Sequence, residues 1–600
     1  MIDLLAHNLA PIMFVSVMAM LLLGYPVAFT LAAGGLLFFW IGVEVAHVAP
    51  NEINLFWPLL QANPERVFGV MSNDTLLAIP FFTFMGIILE RSRMAEDLLD
   101  TIGQLFGPVR GGLAFAAVLV GALLAATTGV VAASVIAMGL ISLPIMTRYG
   151  YDSRLATGTI AAAGTLAQII PPSLVLIVMA DQLGRSVGDM YVGAVFPGLI
   201  MIGLYCAYVF IVTVLRPEQA PALPPAARTL GGGVTSLVAI FVATIAVYLA
   251  AYHFLFDAMR YETRLVSAAT LATLLAYGFS LTNRHFKFGL LSRLAEQVVI
   301  VLVPPLALIF LVLGTIFLGI ATPTEGGAMG ATGALVLAFF KRRLSFTILK
   351  QALDSTTKLS AFVMFILIGA RVFGLTFYGV NGNIWIEDLL LALPGGEYGF
   401  IVVVTIIVFI LGCFLDFFEI AFILVPLLAP AADKLGIDLI WFGIILGINL
   451  QTSFLTPPFG FALFYLRSIA PSREWFDEPS GRRFPAVQTG AIYRGAVPFI
   501  AINALVIAMV ILYPKLVTHY KGSDAAIDGD NIQIQMPPLG NSGLQLPPLG
   551  IPPGAGNFIN EGMQLPALGL PPPSFGGSGG NANPPAPAPA VDLSQPPKVQ

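Results

Sequence analysis

Apolar runs long enough to cross a membrane dominate this sequence of 600 residues. A helix needs about 20 mostly apolar residues to span a hydrocarbon core roughly 30 Å thick. Runs close to that length predict single crossings at residues 76–90, 190–215, 229–256, 262–283, 359–380 and 489–513. Hydrophobic residues make up 57% of the chain and charged residues only 10%, against the roughly 25% charged residues of a soluble domain. The sequence therefore predicts an all-helical protein with many membrane crossings.

The charged residues and the cysteines exclude several other kinds of protein. The chain carries 29 basic and 33 acidic side chains, and this net charge of -4 is too balanced and too sparse for a nucleic-acid surface. Cys206 and Cys413 both lie in apolar runs, so neither a disulfide framework nor a cysteine-based metal site is expected. The N-terminal segment lacks the basic region of a cleavable signal peptide, so we expect the first helix to be retained.

Six further apolar stretches cannot be single straight helices. Two of them, 155–182 and 439–468, contain the pairs Pro171-Pro172 and Pro457-Pro458. Because proline lacks the backbone donor that a continuous helix needs, these stretches are predicted to cross as broken helices. The other four are too long for one helix, and each is either two spans or a re-entrant hairpin: 9–43, 111–147, 294–340 and 398–430.

Arginine and lysine residues cluster in six short segments that can all lie on the cytoplasmic side, as the positive-inside rule requires. The clusters are Arg91/Arg93/Arg110, Arg148/Arg154, Arg216/Arg228, Arg284/Lys287/Arg293, Lys341/Arg342/Arg343/Lys350 and Arg467/Arg473/Arg482/Arg483. This arrangement makes 111–147 a hairpin open to the cytoplasm and 398–430 a hairpin open to the outside. It also makes 294–340 two spans, broken near Pro323. The two predicted hairpins are inverted relative to each other.

The two halves of the chain resemble each other in sequence. A constant shift of 286 residues superposes Pro144 on Pro430, Gly150 on Gly436, Asp152 on Asp438 and Pro171-Pro172 on Pro457-Pro458. Nearby shifts match the segment at Tyr191 with that at Tyr493, with an insertion at 471–488. We therefore predict two inverted repeats, 1–215 and 294–513, joined by connecting helices within 216–293.

The C-terminal residues 524–600 differ from the rest in composition. They are rich in proline and glycine and contain a loose repeat, for example Gln535-Met536-Pro537-Pro538-Leu539-Gly540. Such a composition predicts disorder, and the number of crossings places this tail outside. Both a docking strip for a partner and a solvated appendage stay open.

Four interruptions, at matching places in the two halves, form the predicted binding site. Irregular backbone is tolerated within a membrane only where it lines a cavity or faces a ligand. The first half supplies a hairpin tip with Thr127, Thr128, Gly129 and Ser134, and a break with Gly164, Thr165, Pro171, Pro172 and Ser173. The second half supplies a tip from Gly412 to Glu419, including Asp416, and a break with Asn449, Gln451, Thr452, Ser453, Thr456, Pro457 and Pro458. Carbonyl and hydroxyl oxygens suit Na⁺ and helix N-termini suit a carboxylate, so cotransport is predicted.

Structural interpretations compete with each of these assignments. Small and hydroxyl-bearing residues often serve close helix packing in membranes, although packing alone does not demand two matched proline pairs. Asp416 and Glu419 are either ligands or caps of the hairpin tip. Arg371 either faces a substrate carboxylate, reaches the interface or pairs with one of those acids. Glu325 follows Thr322 at a helix start, where a capping role is favoured.

These motifs resemble those of a known family. Ala156-Thr157-Gly158, the segment from Gly164 to Ser173, Gly319 to Glu325, and Thr456-Pro457-Pro458-Phe459-Gly460 resemble the large membrane subunit, DctM type, of tripartite ATP-independent periplasmic (TRAP) transporters. The resemblance covers about residues 10–513 and does not include the tail or the segment 471–488. The first tip, Thr128-Gly129-Val130, departs from the Gly or Ser pair that members often carry there.

The resemblance implies a fold, a mechanism and partners. The fold would be that of an elevator-type transporter of the ion-transporter superfamily, located in the bacterial inner membrane. Such a protein uses Na⁺ as coupling ion, and no other cofactor, to import an organic acid. It works with a small membrane subunit (DctQ type) and a periplasmic substrate-binding protein (DctP type), here expected as separate chains. Carried over by position, each tip and its neighbouring break would form one Na⁺ site.

Three alternative classes stay open from the sequence. A stand-alone ion-coupled transporter would need no binding protein. An intramembrane enzyme would need a paired catalytic set at membrane depth, whereas the histidines fall at span ends or in loops and Asp416 has no evident aspartate partner. A channel fits poorly, because inverted hairpins are typical of alternating access.

Overall fold

The computed structural model describes residues 6–50, 52–477 and 481–521, and these residues are mainly helical. The predicted disordered tail, 524–600, lies outside the described residues. The helices of the first half are α1 (Leu9–Leu22), α2 (Val27–Ala46), α3 (Asn63–Met71), α4 (Ala78–Arg91), α5 (Met94–Leu105), α6 (Gly112–Thr128), α7 (Val131–Arg148), α8 (Ser153–Thr165), α9 (Leu174–Gln182) and α10 (Val187–Leu215). Short 3₁₀ segments occur at Trp57–Ala62, Leu166–Gln168, Pro217–Gln219 and Pro225–Ala227.

The remaining helices belong to the connecting segment and to the second half. The helices are α11 (Val234–Ala250, continued by a π turn Ala251–Leu255), α12 (Tyr261–Phe286), α13 (Arg293–Phe317), α14 (Pro323–Phe340), α15 (Phe346–Gly379), α16 (Gly382–Leu391), α17 (Gly396–Leu411), α18 (Phe417–Ile423), α19 (Val425–Lys434), α20 (Leu439–Phe454), α21 (Phe461–Ile469), α22 (Thr489–Leu512) and α23 (Lys515–Thr518). Strands β1 (Trp475–Asp477) and β2 (Arg482–Phe484) lie between α21 and α22.

The predicted crossings are present as helices. Among the described residues, eight helices are long and apolar enough to span a membrane: α2, α7, α10, α11 with its π turn, α12, α13, α15 and α22. Helix α15 begins 13 residues before the predicted run at 359, because Ser345 accepts a hydrogen bond from the Ile348 N–H and caps an earlier start. Its 34 residues reach about 51 Å, more than one hydrocarbon core requires.

The two hairpins and the two broken helices are formed as the sequence predicts. Helices α6 and α7 pack on each other as the first hairpin. Helices α17, α18 and α19 occupy the second hairpin, in which α17 packs on α20 and α18 packs on α9. Helices α8 and α9 flank the first proline pair, and α20 and α21 flank the second. The protein is a helical multi-pass membrane protein with two inverted repeats, each of which contains a re-entrant hairpin and a broken helix. The boundaries 1–215, 216–293 and 294–513 remain predictions.

The helices that carry the breaks pack mainly on one another, and a second group of helices meets them where α4 packs on α6 and α15 packs on α18. The hairpins and broken helices pack on one another and on α10 and α22, which we call the hairpin unit. Helices α2, α4, α14 and α15 pack mainly among themselves, and we call them the frame. Within the frame, the Thr376 hydroxyl donates to the Gly35 carbonyl at 2.8 Å, which joins α15 to α2 in a buried position.

Three short helices and one strand pair were not predicted. Helices α3, α5 and α16 are short, and none of them forms a long apolar run. Helix α5 is also amphipathic, with Glu96 and Asp97 in its first turn. The insertion 471–488 contains the antiparallel pair β1–β2, with Trp475 opposite Phe484 and Asp477 opposite Arg482. This pair is a local exception to the all-helical prediction.

Candidate functional site

The first break is closed by side chains that bond to nearby backbone carbonyls. The Thr165 hydroxyl donates to the Ala162 carbonyl at 2.8 Å. After the cis pair Pro171-Pro172, the Ser173 hydroxyl donates back across the break to the Gln168 carbonyl at 2.7 Å. Ser173 therefore spans the break and does not cap α9, whose N-terminus has no side-chain cap. The polar side chains of Thr165, Gln168 and Ser173 are all fully buried at this break.

The first hairpin tip rests on the first break. Gly129 ends α6 with φ of 60°, in the left-handed region that favours glycine. A Cβ at this position would lie 3.0 Å from the Leu174 Cγ, so the tip touches the start of α9. The Thr127 hydroxyl donates to the Leu124 carbonyl at 2.9 Å, and Ser134 is fully buried in the first turn of α7. Thr128 ends α6, and its side chain lies outside the described part of the structure.

The second break is tied to the second hairpin by hydrogen bonds. The Asn449 side-chain amide donates to the Thr405 carbonyl at 2.8 Å, and the Ser453 hydroxyl is 3.1 Å from the Phe409 carbonyl. Both acceptors belong to α17. The Thr452 and Thr456 hydroxyls instead donate to carbonyls of their own helix, at 2.9 Å each. The bonds from Asn449 and Ser453 thereby fix the position of the second break relative to α17.

The second hairpin tip is built around two acids. The Asp416 carboxylate accepts from the Phe417 N–H at 2.8 Å, and the Glu419 carboxylate accepts from the Asp416 N–H at 3.0 Å. The two acids form a capping box at the start of α18. The tip also touches the second break, since a Cβ on Gly412 would lie 2.9 Å from the Ser453 Oγ. Both carboxylates are thus engaged with backbone amides, as the capping interpretation requires.

Each hairpin also packs on the far half of the other repeat's broken helix. Helix α7 packs on α21, and α18 and α19 pack on α9. Two tyrosines at repeat-related positions reinforce the breaks. The Tyr191 hydroxyl is 3.5 Å from the Ser173 carbonyl, and the Tyr493 hydroxyl donates to the Pro458 carbonyl at 3.3 Å. The sequence carried a signal for this pair, because the segments at Tyr191 and Tyr493 match in the repeat.

The structure thus brings the predicted site residues together as two tip-and-break pairs. Gly164 belongs to the first pair, since a Cβ there would lie 2.4 Å from a Val135 methyl group of α7. Gln451 faces away from the second tip, because its Nε2 donates to the Tyr205 hydroxyl at 3.2 Å behind the break. Tyr205 and its partner Asn503 were not predicted. They occupy positions that do not correspond in the repeat, so no sequence pattern points to them.

The structure also bears on the alternatives predicted for Arg371 and Glu325. Arg371 is exposed on α15, and no ion pair joins it to Asp416 or Glu419 among the described residues. Glu325 and Thr322 form a reciprocal capping box at the start of α14, with the Thr322 N–H 2.8 Å from the Glu325 carboxylate. The structural interpretation of Glu325 is confirmed.

The start of α20, which leads into the second break, is held by a charged pair. Burial raises the pKa of Asp438, but hydrogen bonds from Lys521 and from the N–H groups of Trp441 and Ile440 outweigh it and leave this pKa below its ordinary value. The carboxylate therefore caps α20 as an anion.

The exposed backbone at the site can serve both a cation and an anion. Helices α8 and α20 end at the breaks, at Thr165 and Phe454, so the negative end of each helix dipole lies at its break. Carbonyl and hydroxyl oxygens are the ligands that hard cations prefer. Three helix N-termini at the tips and breaks, those of α7, α9 and α21, have no side-chain cap among the described residues. Their N–H groups and dipoles favour a bound anion.

Comparison with known proteins places the chain in a family. Residues 14–294 and 264–516 match the family described as "Tripartite ATP-independent periplasmic transporter, DctM component". The chain belongs to this DctM family. It is therefore the large permease component of a secondary transporter, a class that acts on C4-dicarboxylates and other organic acids, and it is not an enzyme.

Individual relatives of this DctM family member carry different substrate names. The C4-dicarboxylate TRAP transporter large permease protein DctM of Pseudomonas aeruginosa is 29% identical over 75% of this chain and 87% of its own length. The 2,3-diketo-L-gulonate TRAP transporter large permease protein YiaN of Escherichia coli is 25% identical over 81% of this chain and 95% of its own length. The isethionate TRAP transporter permease protein DctMQ of Oleidesulfovibrio alaskensis is 25% identical over 68% of this chain and 54% of its own length.

Proposed function

We propose that this chain imports an organic acid together with Na⁺ across the bacterial inner membrane. It does so with a small membrane subunit and a periplasmic substrate-binding protein, which are separate chains. The observation that carries this proposal is the pair of hairpin tips, each in contact with a broken helix of the same repeat. Each pair brings a helix C-terminus and an uncapped helix N-terminus to the same break.

Na⁺ is assigned to the carbonyl ends of α8 and α20. In the first pair the tip contributes backbone only at Gly129, so the ion is coordinated by carbonyls around Thr165 and the tip. In the second pair the hydroxyls of Ser453 and Thr456 lie beside the break. Both sets consist of neutral oxygens, which suit a monovalent ion better than a divalent one.

The organic acid is assigned to the uncapped N-termini of α7, α9 and α21. The N-terminus of α18 also lies at the site, but the negative charges of Asp416 and Glu419 already offset the positive end of its helix dipole. A further carboxylate there would therefore be repelled. A substrate anion is therefore favoured at the first tip and at the starts of the two far half-helices. Bound Na⁺ at the adjacent carbonyl ends would stabilise the same backbone and the same anion.

An elevator movement of the hairpin unit against the frame would carry the loaded site across the membrane. One polar contact between the two groups is the 2.8 Å hydrogen bond from the Asn73 side chain, before α4, to Asp181 at the end of α9. A disulfide in the double variant Asn73→Cys/Asp181→Cys should stop uptake, and a reductant should restore it. Uptake that continues with this disulfide formed would contradict the movement.

The function is tested by uptake into proteoliposomes that contain this chain and its small membrane subunit, with the binding protein outside. The panel of labelled acids should include C4-dicarboxylates, 2,3-diketo-L-gulonate and isethionate. We expect uptake of one acid that needs both a Na⁺ gradient and the binding protein. Uptake without the binding protein would support a stand-alone transporter, and uptake that ignores the Na⁺ gradient would contradict the coupling.

A further inference from the structure

Four buried polar side chains from four helices meet behind the two breaks. The Tyr205 hydroxyl of α10 donates to the Asn503 side-chain oxygen of α22 at 2.6 Å. The same hydroxyl accepts from the Gln451 amide of α20 at 3.2 Å, and Thr165 of α8 lies beside it. All four residues are fully buried. We call this group the Tyr205 network.

The network joins the parts of the molecule that bear the two breaks. Thr165 and Gln451 occupy matching repeat positions, each six residues before its proline pair. Helices α10 and α22 are the first long helices after the two broken ones. The Tyr205 hydroxyl therefore bonds to α20 and α22 and contacts the end of α8, where the Thr165 hydroxyl donates to its own helix.

Close packing alone does not require this network. Helices α8 and α22 already meet through Gly158 and Gly495, where a Cβ on Gly158 would lie 2.1 Å from the Gly495 carbonyl oxygen. At the repeat shift that matches Tyr191 with Tyr493, the counterparts of Asn503 and Tyr205 are Met201 and Ile507, which are apolar. Burying polar groups costs free energy unless they are hydrogen-bonded. Apolar side chains at these positions would therefore pack the helices together without that cost.

We propose that Tyr205 is a positioning residue that couples the two ion sites. By holding the ends of α8 and α20 at a fixed separation, its hydroxyl transmits ordering of one break to the other. Na⁺ bound at one break then raises the affinity of the other break for Na⁺. This inference rests on the proposed Na⁺ coupling, and it assigns cooperativity to one hydroxyl group outside both sites.

The test is the Na⁺ dependence of uptake in the reconstituted complex, for wild type and for Tyr205→Phe. We expect the Na⁺ concentration for half-maximal uptake to rise about fivefold, the effect of one net hydrogen bond, and the Hill coefficient for Na⁺ to fall towards that of independent sites. The substrate KM at saturating Na⁺ and the maximal rate should stay unchanged. A role in folding alone would instead lower the maximal rate and leave the shape of the Na⁺ curve intact.

Tyr208→Phe is the matched control, because Tyr208 lies on the same helix and its ring packs on the same phenylalanine. Ring centroids are 5.1 Å apart for Tyr208–Phe499 and 5.0 Å apart for Tyr205–Phe499. This control should leave the Na⁺ curve unchanged. Asn503→Leu removes the other end of the strongest bond and should reproduce the Tyr205→Phe curve. If Tyr205→Phe is poorly folded, Asn503→Leu decides the question in its place.

The outcomes separate the two proposals. Wild-type uptake that depends on Na⁺, with the same Na⁺ curve in Tyr205→Phe and Asn503→Leu, would overturn the coupling role of Tyr205 alone. Wild-type uptake that is independent of Na⁺ would overturn the proposed function and this inference with it. A shift in Tyr208→Phe as large as that in Tyr205→Phe would also contradict the assignment, because it would show a general effect of this helix.

Discussion

The two hairpin tips have the same place in their repeats and different chemistry. The first tip turns on a glycine with positive φ, followed by Val130, and offers mainly backbone. The second tip turns into a capping box of Asp416 and Glu419. Each tip nonetheless touches the break of its own repeat. The two repeats thus share the contact between tip and break, whereas the backbone turn and the side chains of the two tips differ.

The open ends of the two hairpins, opposite the tips, also differ in the ion pairs that hold them. Arg148 ends the first hairpin and forms a two-point ion pair with Asp477 at 2.7 and 2.8 Å, with side chains 25% and 3% exposed. Lys434 is its repeat counterpart and pairs with Glu387 of α16, with side chains 60% and 18% exposed. The first hairpin is thus fastened by the insertion 471–488, and the second by a short helix.

The largest expected effect comes from breaking the buried pair. Arg148→Ala leaves the Asp477 carboxylate buried without its main partner, which should lower the free energy of unfolding by about 3 kcal/mol. Lys434→Ala at the matching position should cost less than about 1 kcal/mol, because that pair is largely solvated. Chemical unfolding in detergent micelles measures both. Equal losses would contradict the difference between the two open ends.

The next effect separates the two tips. Gly129→Ala forces a Cβ into the left-handed region and against Leu174, which should cost about 1–2 kcal/mol and reduce Na⁺-dependent uptake. Gly412→Ala keeps an ordinary helical φ, so only its contacts with Ser453 and the Val408 carbonyl must adjust and the loss should be smaller. Unfolding and uptake of both variants check this order. A larger loss in Gly412→Ala would show that contact with the break, and not backbone conformation, limits the tips.

A smaller effect distinguishes a cap from an ion ligand at the second tip. Asp416→Ala removes the side-chain cap of α18 and should cost about 1 kcal/mol of unfolding free energy, whereas Asp416→Asn still caps and should cost little. Uptake should therefore survive in Asp416→Asn. Loss of Na⁺-dependent uptake in Asp416→Asn, with unchanged unfolding, would make this carboxylate an ion ligand.

The smallest effect concerns pH at the start of the second broken helix. Because the pKa of Asp438 is lowered in the folded protein, its carboxylate stabilises the fold above the ordinary aspartate pKa of about 4. This contribution is lost as the pH falls through the lowered pKa. Lys521→Met should reduce the melting temperature slightly at neutral pH, and the difference from wild type should vanish in acid. A difference that persists in acid would mean that Lys521 acts through packing.

The sequence predicted the parts of this fold that depend on apolar length and on proline. Spans, hairpins and breaks all follow from runs that are too long or that contain Pro171-Pro172 and Pro457-Pro458. Helix α5 was not predicted because its apolar residues occupy only one face. The Asp416–Glu419 box has a recognisable spacing, but spacing alone does not separate a cap from a ligand. The Tyr205–Asn503 bond joins residues 298 positions apart that are not repeat counterparts, so only the folded structure brings them together.

The most direct test of the account is a cryo-EM comparison of the chain, bound to its small membrane subunit, in Na⁺ and in choline. We predict cation density in Na⁺ at both tip-and-break pairs, beside Gly129 with Thr165 and beside Gly412 with Ser453, and no such density in choline. Density at neither pair, or density only at a place away from both breaks, would contradict the assignment of Na⁺ to the two tip-and-break pairs.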